Sequence, residues 1–228
     1  MPAAEPTPLD IPADAKHIVL FGGTFDPPHQ AHTLLADLAR REIERRHACS
    51  AWLVFIPAAR SPHKDSAPHA TDAQRVEMLR LATDGIDRCT VWTDEIDRAT
   101  SGEPSYWLTT LQRARVLLGD RALSFIIGSD QAASFHRWRE PRTMLDLAAP
   151  VVLPREPIIS ATSLREAMAR AGFWRERELD AWVERLIVTD AVAAASTEVR
   201  EAHGAQTITP VHPAVAEYAR VNKLYAKS

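Results

Sequence analysis

The stretch His17-Ile-Val-Leu-Phe-Gly-Gly-Thr-Phe-Asp-Pro-Pro-His-Gln-Ala-His32 decides how the chain is read. Its apolar run over 17–21, closed by Gly22-Gly23, reads as a buried strand followed by a tight turn. Residues 31–46 then carry Leu34, Leu35, Leu38, Ala39 and Ile43 at helical spacing with charges between them. Two glycines after a strand let backbone approach a bulky anionic ligand closely. The helix behind them points its first amides and positive dipole end at the same place. His29 and His32, three apart, share one face at that helix start, where imidazoles can donate hydrogen bonds to phosphate oxygens. Zinc would need histidines at i, i+4, a nearby carboxylate and a further His or Cys, a pattern this segment lacks. On spacing alone, an ordinary strand–helix turn competes with the phosphate reading of the glycines.

The same alternation continues along the chain. Residues 51–56 form a second apolar strand stopped by Pro57, and a polar loop over 58–70 leads to a helix expected from about 71 to 82. Residues 89–92 are a short strand candidate, 105–118 an amphipathic helix, and 122–127 the most strand-like segment, ending at Gly128. A helical stretch over 130–147, interrupted near Pro141, precedes a strand over 149–153. Residues 163–185 read as one or two helices broken around Gly172, 186–189 as a last short strand, and a helix starts near Pro213. Strands separated by helices imply a mostly parallel sheet covered on both faces, an α/β doubly wound architecture. Ligands of such sheets bind at the carboxyl ends of the strands, where strand order reverses. The polar residues after the strands therefore matter most: Gly22-Gly-Thr-Phe-Asp26, Pro57-Ala-Ala-Arg60 and Gly128-Ser-Asp130. The expected organisation is a loose extended tail over 1–15, where Pro2, Pro6, Pro8 and Pro12 prevent a regular helix, a core over 16–190, and a small helical part over 191–228.

Composition narrows the classes. The 228 residues are 46% hydrophobic and 25% charged, enough for one large domain and against disorder as the main state. No apolar run approaches the roughly 18 residues of a membrane helix, so no membrane is expected as a partner. The balance of 27 basic and 30 acidic residues, net −3, argues against nucleic-acid binding through a basic face, yet leaves room for a locally basic site. Cys49 and Cys89 form neither a disulfide framework nor a zinc cluster, and a cytoplasmic setting fits. The N-terminus has no signal-peptide pattern. A homo-oligomer is compatible with all of this.

Gly22 to His32, GGTFDPPHQAH, resembles the first signature of the nucleotidyltransferase superfamily that carries an HxGH-type motif, with Ala31 in place of the inner glycine. Pro57-Ala-Ala-Arg-Ser-Pro-His-Lys64 with Gln74-Arg75 and Met78-Leu79 is similar to the PHK loop and following helix of the nicotinate mononucleotide adenylyltransferases. Pro104-Ser-Tyr106 with Thr110-Leu111, Phe125-Ile-Ile-Gly-Ser-Asp130 with Trp138, and Thr197-Glu-Val-Arg200 followed by Pro210, Val215, Tyr218 and Leu224-Tyr225 resemble further motifs of that family in the same order. The resemblance is collinear from about 17 to 225 and implies a Rossmann-like nucleotidyltransferase core.

The family joins the α-phosphate of ATP to the phosphate of nicotinate mononucleotide, releasing pyrophosphate and giving nicotinate adenine dinucleotide. Displacement at phosphorus needs mainly positioning and charge stabilisation, with Mg²⁺ carried by the nucleotide phosphates. The resemblance implies that Gly22, Gly23 and Thr24 face the phosphates and that His29 and His32 hold the triphosphate, His32 stabilising the α-phosphate in the transition state. It further implies that Gly128 and Asp130 sit against the ribose, that Trp138 stacks on the nicotinate ring with Tyr106 and Trp107 in the same pocket, and that His63 and Lys64 approach the mononucleotide phosphate. Each also has a plain structural reading: Asp130 as a helix N-cap, Trp138 as core, His63-Lys64 as a solvated loop. Trp107 stands where the family has Thr, exchanging a hydroxyl for a large ring that only donates. The loop after the second strand, Pro-Ala-Ala-Arg, lacks the polar amides of some relatives.

Two segments resemble the closing ISxTxxR signature, Ile159-Ser-Ala-Thr-Ser-Leu-Arg165 and Ala194-Ala-Ser-Thr-Glu-Val-Arg200. The first matches better by letters, but Ser163-Leu-Arg-Glu166 also reads as a capping box opening a helix. Downstream order favours the second, so Ser196, Thr197 and Arg200 are taken as the triphosphate clamp. The alternatives are transfer of an adenylyl or cytidylyl group to another phosphate, such as that of nicotinamide mononucleotide, and a nucleotide-binding protein without turnover. A dehydrogenase-like dinucleotide binder is excluded, because no GxGxxG follows any strand.

Overall fold

A computed structural model describes residues 5–59, 68–99, 105–188 and 211–225. Strand β1 (His17–Gly23) is central to a five-stranded sheet, flanked by β2 (Ala51–Pro57) and β4 (Ala122–Gly128), with β3 (Cys89–Val91) outside β2 and β5 (Ala149–Leu153) outside β4. Every pairing is parallel, with Gly22 opposite Ile56 and Gly23 opposite Pro57. The chain steps outward from β1 to β2 and β3, then returns to build β4 and β5 on the other side. The order therefore reverses at the carboxyl ends of β1 and β4, where such sheets bind ligands.

Ile18, Val19 and Leu20 are all fully buried, each contributing about 2 kcal/mol relative to exposure. Consecutive strand residues point to opposite faces. Ile18 and Leu20 join the cluster covered by α4 (Trp107–Leu118) and by the segment with Phe125, Phe135 and Trp182. Val19, Phe55 and Ile126 face α1 (Gln30–His47) and α2 (Asp72–Thr83) through Ala36, Ala39 and Leu79. Helix α1 ends with Arg45, Arg46 and His47 against its negative dipole end and stops at Ala48 in a left-handed conformation, φ 47°. Helix α2 is opened by a capping box, Thr71 Oγ1 accepting from the Gln74 amide at 3.3 Å while Gln74 accepts from the Thr71 amide at 3.0 Å.

The expected elements are present with several differences. Leu34, expected inward, is 43% exposed; Ala31, Ala36, Ala39 and Ile43 line the inner stripe of α1 instead. The stretch over 130–147 is three pieces: α5 (Ser129–Ala133), a 3-10 turn (Phe135–Arg137) and α6 (Pro141–Leu147), the last opened by proline at its first position. Of the strand expected over 186–189, the described residues 186–188 form one bridge, Val152 to Leu186. Helix α7 (Ala161–Ala169) is capped by Ser160 paired with Ser163, three residues before the expected box, and α8 (Glu176–Glu184) follows Gly172. Residues 5–12 lack regular structure and 12–15 form a turn closed by the Ala15 amide on the Pro12 carbonyl, but the segment is held rather than loose. The Thr7 amide donates to Asp94 in α3 (Asp94–Asp97) at 2.8 Å, its carbonyl accepts from the Trp92 indole at 2.9 Å, and Leu9 and Ile11 lie on the core. Helix α9 (Pro213–Val221) sets Val215 against Ala70, Met78 and Ala82 on the α2 side.

Candidate active site

Gly22 and Gly23 end the central strand and face opposite sides of the sheet. A Cβ on Gly22 would lie 2.5 Å from Cζ3 of Trp107, and one on Gly23 would lie 2.9 Å from Cζ of Phe25. The volume the sequence reading gave to a ligand is thus filled by two of the protein's own aromatic rings. What remains for an anion at this point is backbone and the loop that follows.

That loop is tightly held. Phe25 has φ 48°, a left-handed backbone that costs a non-glycine residue about 1–3 kcal/mol unless its surroundings enforce it. Its buried ring is edge-on to Phe21, Phe55 and His32, with centroids 5.7, 5.9 and 5.2 Å away. The Thr24 carbonyl accepts from the fully buried Arg75 at 2.7 Å, and Arg75 also pairs with Asp72 at 2.7 Å. Asp26 accepts from the His69 and Ala70 amides and from the Tyr225 hydroxyl.

The loop delivers His29 to the N-cap of α1 and His32 to its first turn. Their rings stack at 3.6 Å between centroids, 17° from parallel. The His29 amide donates to Nδ1 of His32 at 3.3 Å. With Nδ1 accepting, the ring proton of His32 stands on Nε2, the donor a phosphate oxygen requires. The amides of an 18-residue helix converge on the same end.

Across the switch point, Ser129 is fully buried, accepts the Arg155 amide at 2.8 Å and reaches the Ile158 carbonyl at 2.6 Å, tying the end of β4 to the loop after β5. Asp130 is not an N-cap, because Gly128 takes that position and α5 has no side-chain cap. Its Oδ1 is buried in contact range of Gly128, with no hydrogen-bond partner among the described residues, while Oδ2 lies 3.6 Å from Arg155. An oxygen placed this way suits a hydroxyl donor from a ligand.

The third group lies on the α4 side. Trp107 opens α4, half-buried, 6.1 Å from Phe125, and its indole Nε1 is buried without a hydrogen-bond partner among the described residues. Trp138 packs on Phe135 at 5.1 Å, and Phe135 continues to Trp182 at 5.2 Å, so Trp138 caps an aromatic core instead of standing apart from it. Tyr106 is 37% exposed with the Arg139 guanidinium 5.0 Å from its ring centre. Helix α4 is anchored from beneath. Arg113 and Arg98 hold the fully buried Asp94 at 2.7 and 3.3 Å, and Thr110 donates to Glu95, whose carboxyl is pushed up by burial.

The structure therefore brings Gly22, Gly23, Thr24, His29, His32, Gly128, Asp130, Tyr106, Trp107 and Trp138 to the carboxyl edge of one sheet. His63, Lys64, Ser196, Thr197 and Arg200 lie outside the described residues. In the rival closing segment, Arg165 is paired with Asp180 at 2.5 Å and with Glu176, both on or beside α8. Arg139 and the Asp26–Tyr225 bond were missed by sequence reasoning. Neither carries a local signal beyond adjacency to Trp138 and membership of the opening motif.

The cytidylyltransferase-like family matches residues 20–202. A protein of Rhodopirellula baltica named probable nicotinate-nucleotide adenylyltransferase is 37% identical over 68% of this chain and 67% of its own length. Proteins of the same name from Laribacter hongkongensis and Chromobacterium violaceum are 34% and 31% identical, covering 91% and 90% of this chain and 94% and 97% of theirs. The solved nicotinic acid mononucleotide adenylyltransferase of Plasmodium falciparum, complexed with NaAD, shares the fold with a TM-score of 0.59 at 15% identity, over 92% of this chain and 97% of that one. With a strand-ending glycine pair, a histidine pair at a helix start and a carboxylate oxygen left open across the switch point, the chain belongs to the cytidylyltransferase-like family of nucleotidyltransferases, among the nicotinate-nucleotide adenylyltransferases.

Proposed function

We propose that this chain transfers the adenylyl group of ATP to the phosphate of nicotinate mononucleotide, as the name of its relatives implies for them. An oxygen of the mononucleotide phosphate attacks the α-phosphorus, the bond from that phosphorus to the bridging β-oxygen breaks, and pyrophosphate leaves with the electron pair. The products are nicotinate adenine dinucleotide and pyrophosphate. The observation that carries this reading is the stacked pair His29–His32 at the start of α1, with Nδ1 of His32 occupied by the His29 amide. In this reading His32 donates to the α-phosphate oxygens as charge shifts during displacement, and His29 holds the β- and γ-phosphates with the helix amides. Preorganised donors of this kind carry most of the work when no covalent intermediate forms.

Asp130 accepts from the adenosine ribose beside Gly128. Trp138 offers a face for the pyridine ring, and Tyr106 and Trp107 bound the acceptor pocket with His63 and Lys64 at its phosphate end. Ser196, Thr197 and Arg200 close on the triphosphate. The donors beside Thr24, imidazole nitrogen and helix amides, suit phosphate oxygens and not Mg²⁺, a hard cation that takes oxygen ligands. The ion is accordingly carried in by ATP, where it neutralises phosphate charge. Cys49 and Cys89 are free thiols, in keeping with a cytoplasmic setting; no described helix is long and apolar enough to cross a membrane.

Pyrophosphate release with ATP and a panel of acceptors tests the proposal. Nicotinate mononucleotide should give the highest kcat/KM. Equal turnover of nicotinamide mononucleotide would overturn the acceptor while leaving adenylyl transfer standing, and no release with either would overturn both.

A further inference from the structure

Three donors meet on one carboxylate in the loop that carries the histidines. The amides of His69 and Ala70 reach Asp26 at 2.6 and 3.2 Å, and the hydroxyl of Tyr225 donates to the same group. Tyr225 follows α9, which docks on the α2 side through Val215, and its ring lies edge-on to His69, centroids 6.2 Å apart. Burial, then the neighbouring Asp26, push its phenol pKa up, so the group remains a proton donor across the neutral range.

Asp26 sits two residues after Thr24 and three before His29. The backbone between them includes Phe25 at φ 48°, a conformation that persists only where several contacts enforce it. The Phe25 ring and the Arg75 bond to Thr24 supply two of those contacts, and the donors on Asp26 supply the rest. Among these described anchors, Tyr225 is the one contributed by the C-terminal segment, 199 residues from its partner. A neutral donor on a carboxylate is a charge-assisted bond, roughly twice as strong as a neutral pair.

We propose that Tyr225 is a positioning residue for nucleotidyl transfer: its hydroxyl latches Asp26 and so fixes the turn that presents His29 and His32 to the nucleotide. The inference rests on the reading of those histidines as triphosphate ligands. It couples the segment following residue 210 to the opening loop, so that docking of α9 and alignment of the histidines are one event.

The test is a double-mutant cycle on the full chain, with ATP and nicotinate mononucleotide as substrates. Tyr225→Phe removes one oxygen and should lower kcat about tenfold, with the KM for the mononucleotide changed by less than about twofold and the melting temperature by less than about 4 °C. In a His32→Ala background the same change should cost clearly less than tenfold, because one of the two histidines it positions is gone. Asp26→Asn should reproduce the loss and make Tyr225→Phe silent. An undiminished kcat, a loss proportional to the unfolded fraction, or the same fractional loss with and without His32 would overturn the latch. Wild-type turnover by folded His32→Ala would instead overturn the reading of the site.

Discussion

The two sides of the sheet at the end of β1 solve one packing problem in two ways. On the α1 side, the space beside Gly23 is taken by Phe25, two residues along the same loop; on the α4 side, the space beside Gly22 is taken by Trp107, 85 positions away. The first arrangement is local. It locks the histidine loop onto its own strand, with His32 against the ring that fills the gap. The second is tertiary and depends on α4 being held by the Asp94–Arg113 and Glu95–Thr110 contacts. The difference teaches that the rings and histidines of the proposed phosphate end lie in a short stretch of chain that distant residues only steady, whereas the proposed acceptor end is assembled by packing. Perturbing the first should therefore appear in kcat, and perturbing the second in acceptor KM and stability.

The largest expected effect lies on the histidine side. His32→Ala should lower kcat by about 100- to 1000-fold, the usual cost of one preorganised donor, with the melting temperature nearly unchanged because the ring is only half-buried. Steady-state kinetics beside a thermal melt check this. The contrasting histidine is His17, at the far end of the same strand, buried 2.7 Å from Ser124 and close to His47. Burial first, then His47, lower its pKa from 6.5 to about 4. The folded state thus excludes a proton that the unfolded state binds below pH 6.5, so this contribution to stability is fully present above 6.5 and falls away toward pH 4. Chemical denaturation across that window should show the loss for the wild type and a flatter profile for His17→Asn.

The glycines test the comparison itself. Gly22→Ala and Gly23→Ala each force a methyl group against an aromatic ring, at a cost of about 1–3 kcal/mol. Gly23→Ala should also lower kcat, since Phe25 can yield only by moving the histidine loop, while Gly22→Ala should raise the mononucleotide KM. Adding Trp107→Thr should recover much of the stability lost in Gly22→Ala, a coupling of roughly 0.5–3 kcal/mol for residues in contact. If both alanine variants shift the same kinetic constant, the two sides are not functionally separate. The smallest effect belongs to Arg165→Ala. Its ion pairs with Asp180 and Glu176 are largely exposed, so stability should fall by less than about 1 kcal/mol and kcat/KM for ATP should hold, while Arg200→Ala raises the KM for ATP. The opposite ranking would transfer the triphosphate clamp to the earlier segment.

Much of the fold could be read from the chain because its strands are short apolar runs punctuated by Gly and Pro. The run over 17–21, the stop at Pro57 and the run ending at Gly128 each give a parallel strand with its polar residues at the carboxyl end. Errors fell where packing outvotes periodicity. Leu34 fits a helical stripe by spacing, yet α1 turns Ala36, Ala39 and Ile43 toward the core and leaves Leu34 exposed. Residues 5–15, rich in proline, gave no sign that Thr7 would meet Asp94 and Trp92, since a backbone amide has no sequence signature.

The sequence by itself determined the strand–turn–helix motif to which the phosphate role is proposed. The order of Gly22, Gly23, His29 and His32 is contained within one strand–turn–helix unit, although the turn inside it is held by contacts from Arg75, His69, Ala70 and Tyr225. Only the tertiary structure decided what fills the glycine space, why Asp130 is no N-cap and which residue steadies Asp26. Trp107 and Tyr225 meet their partners through side-chain volume and a hydrogen bond between elements, and those depend on how helices pack on the sheet. Spacing along the chain specifies neighbours within about one turn or strand; contacts over 85 or 199 residues exist only because the packed helices and sheet bring distant segments side by side.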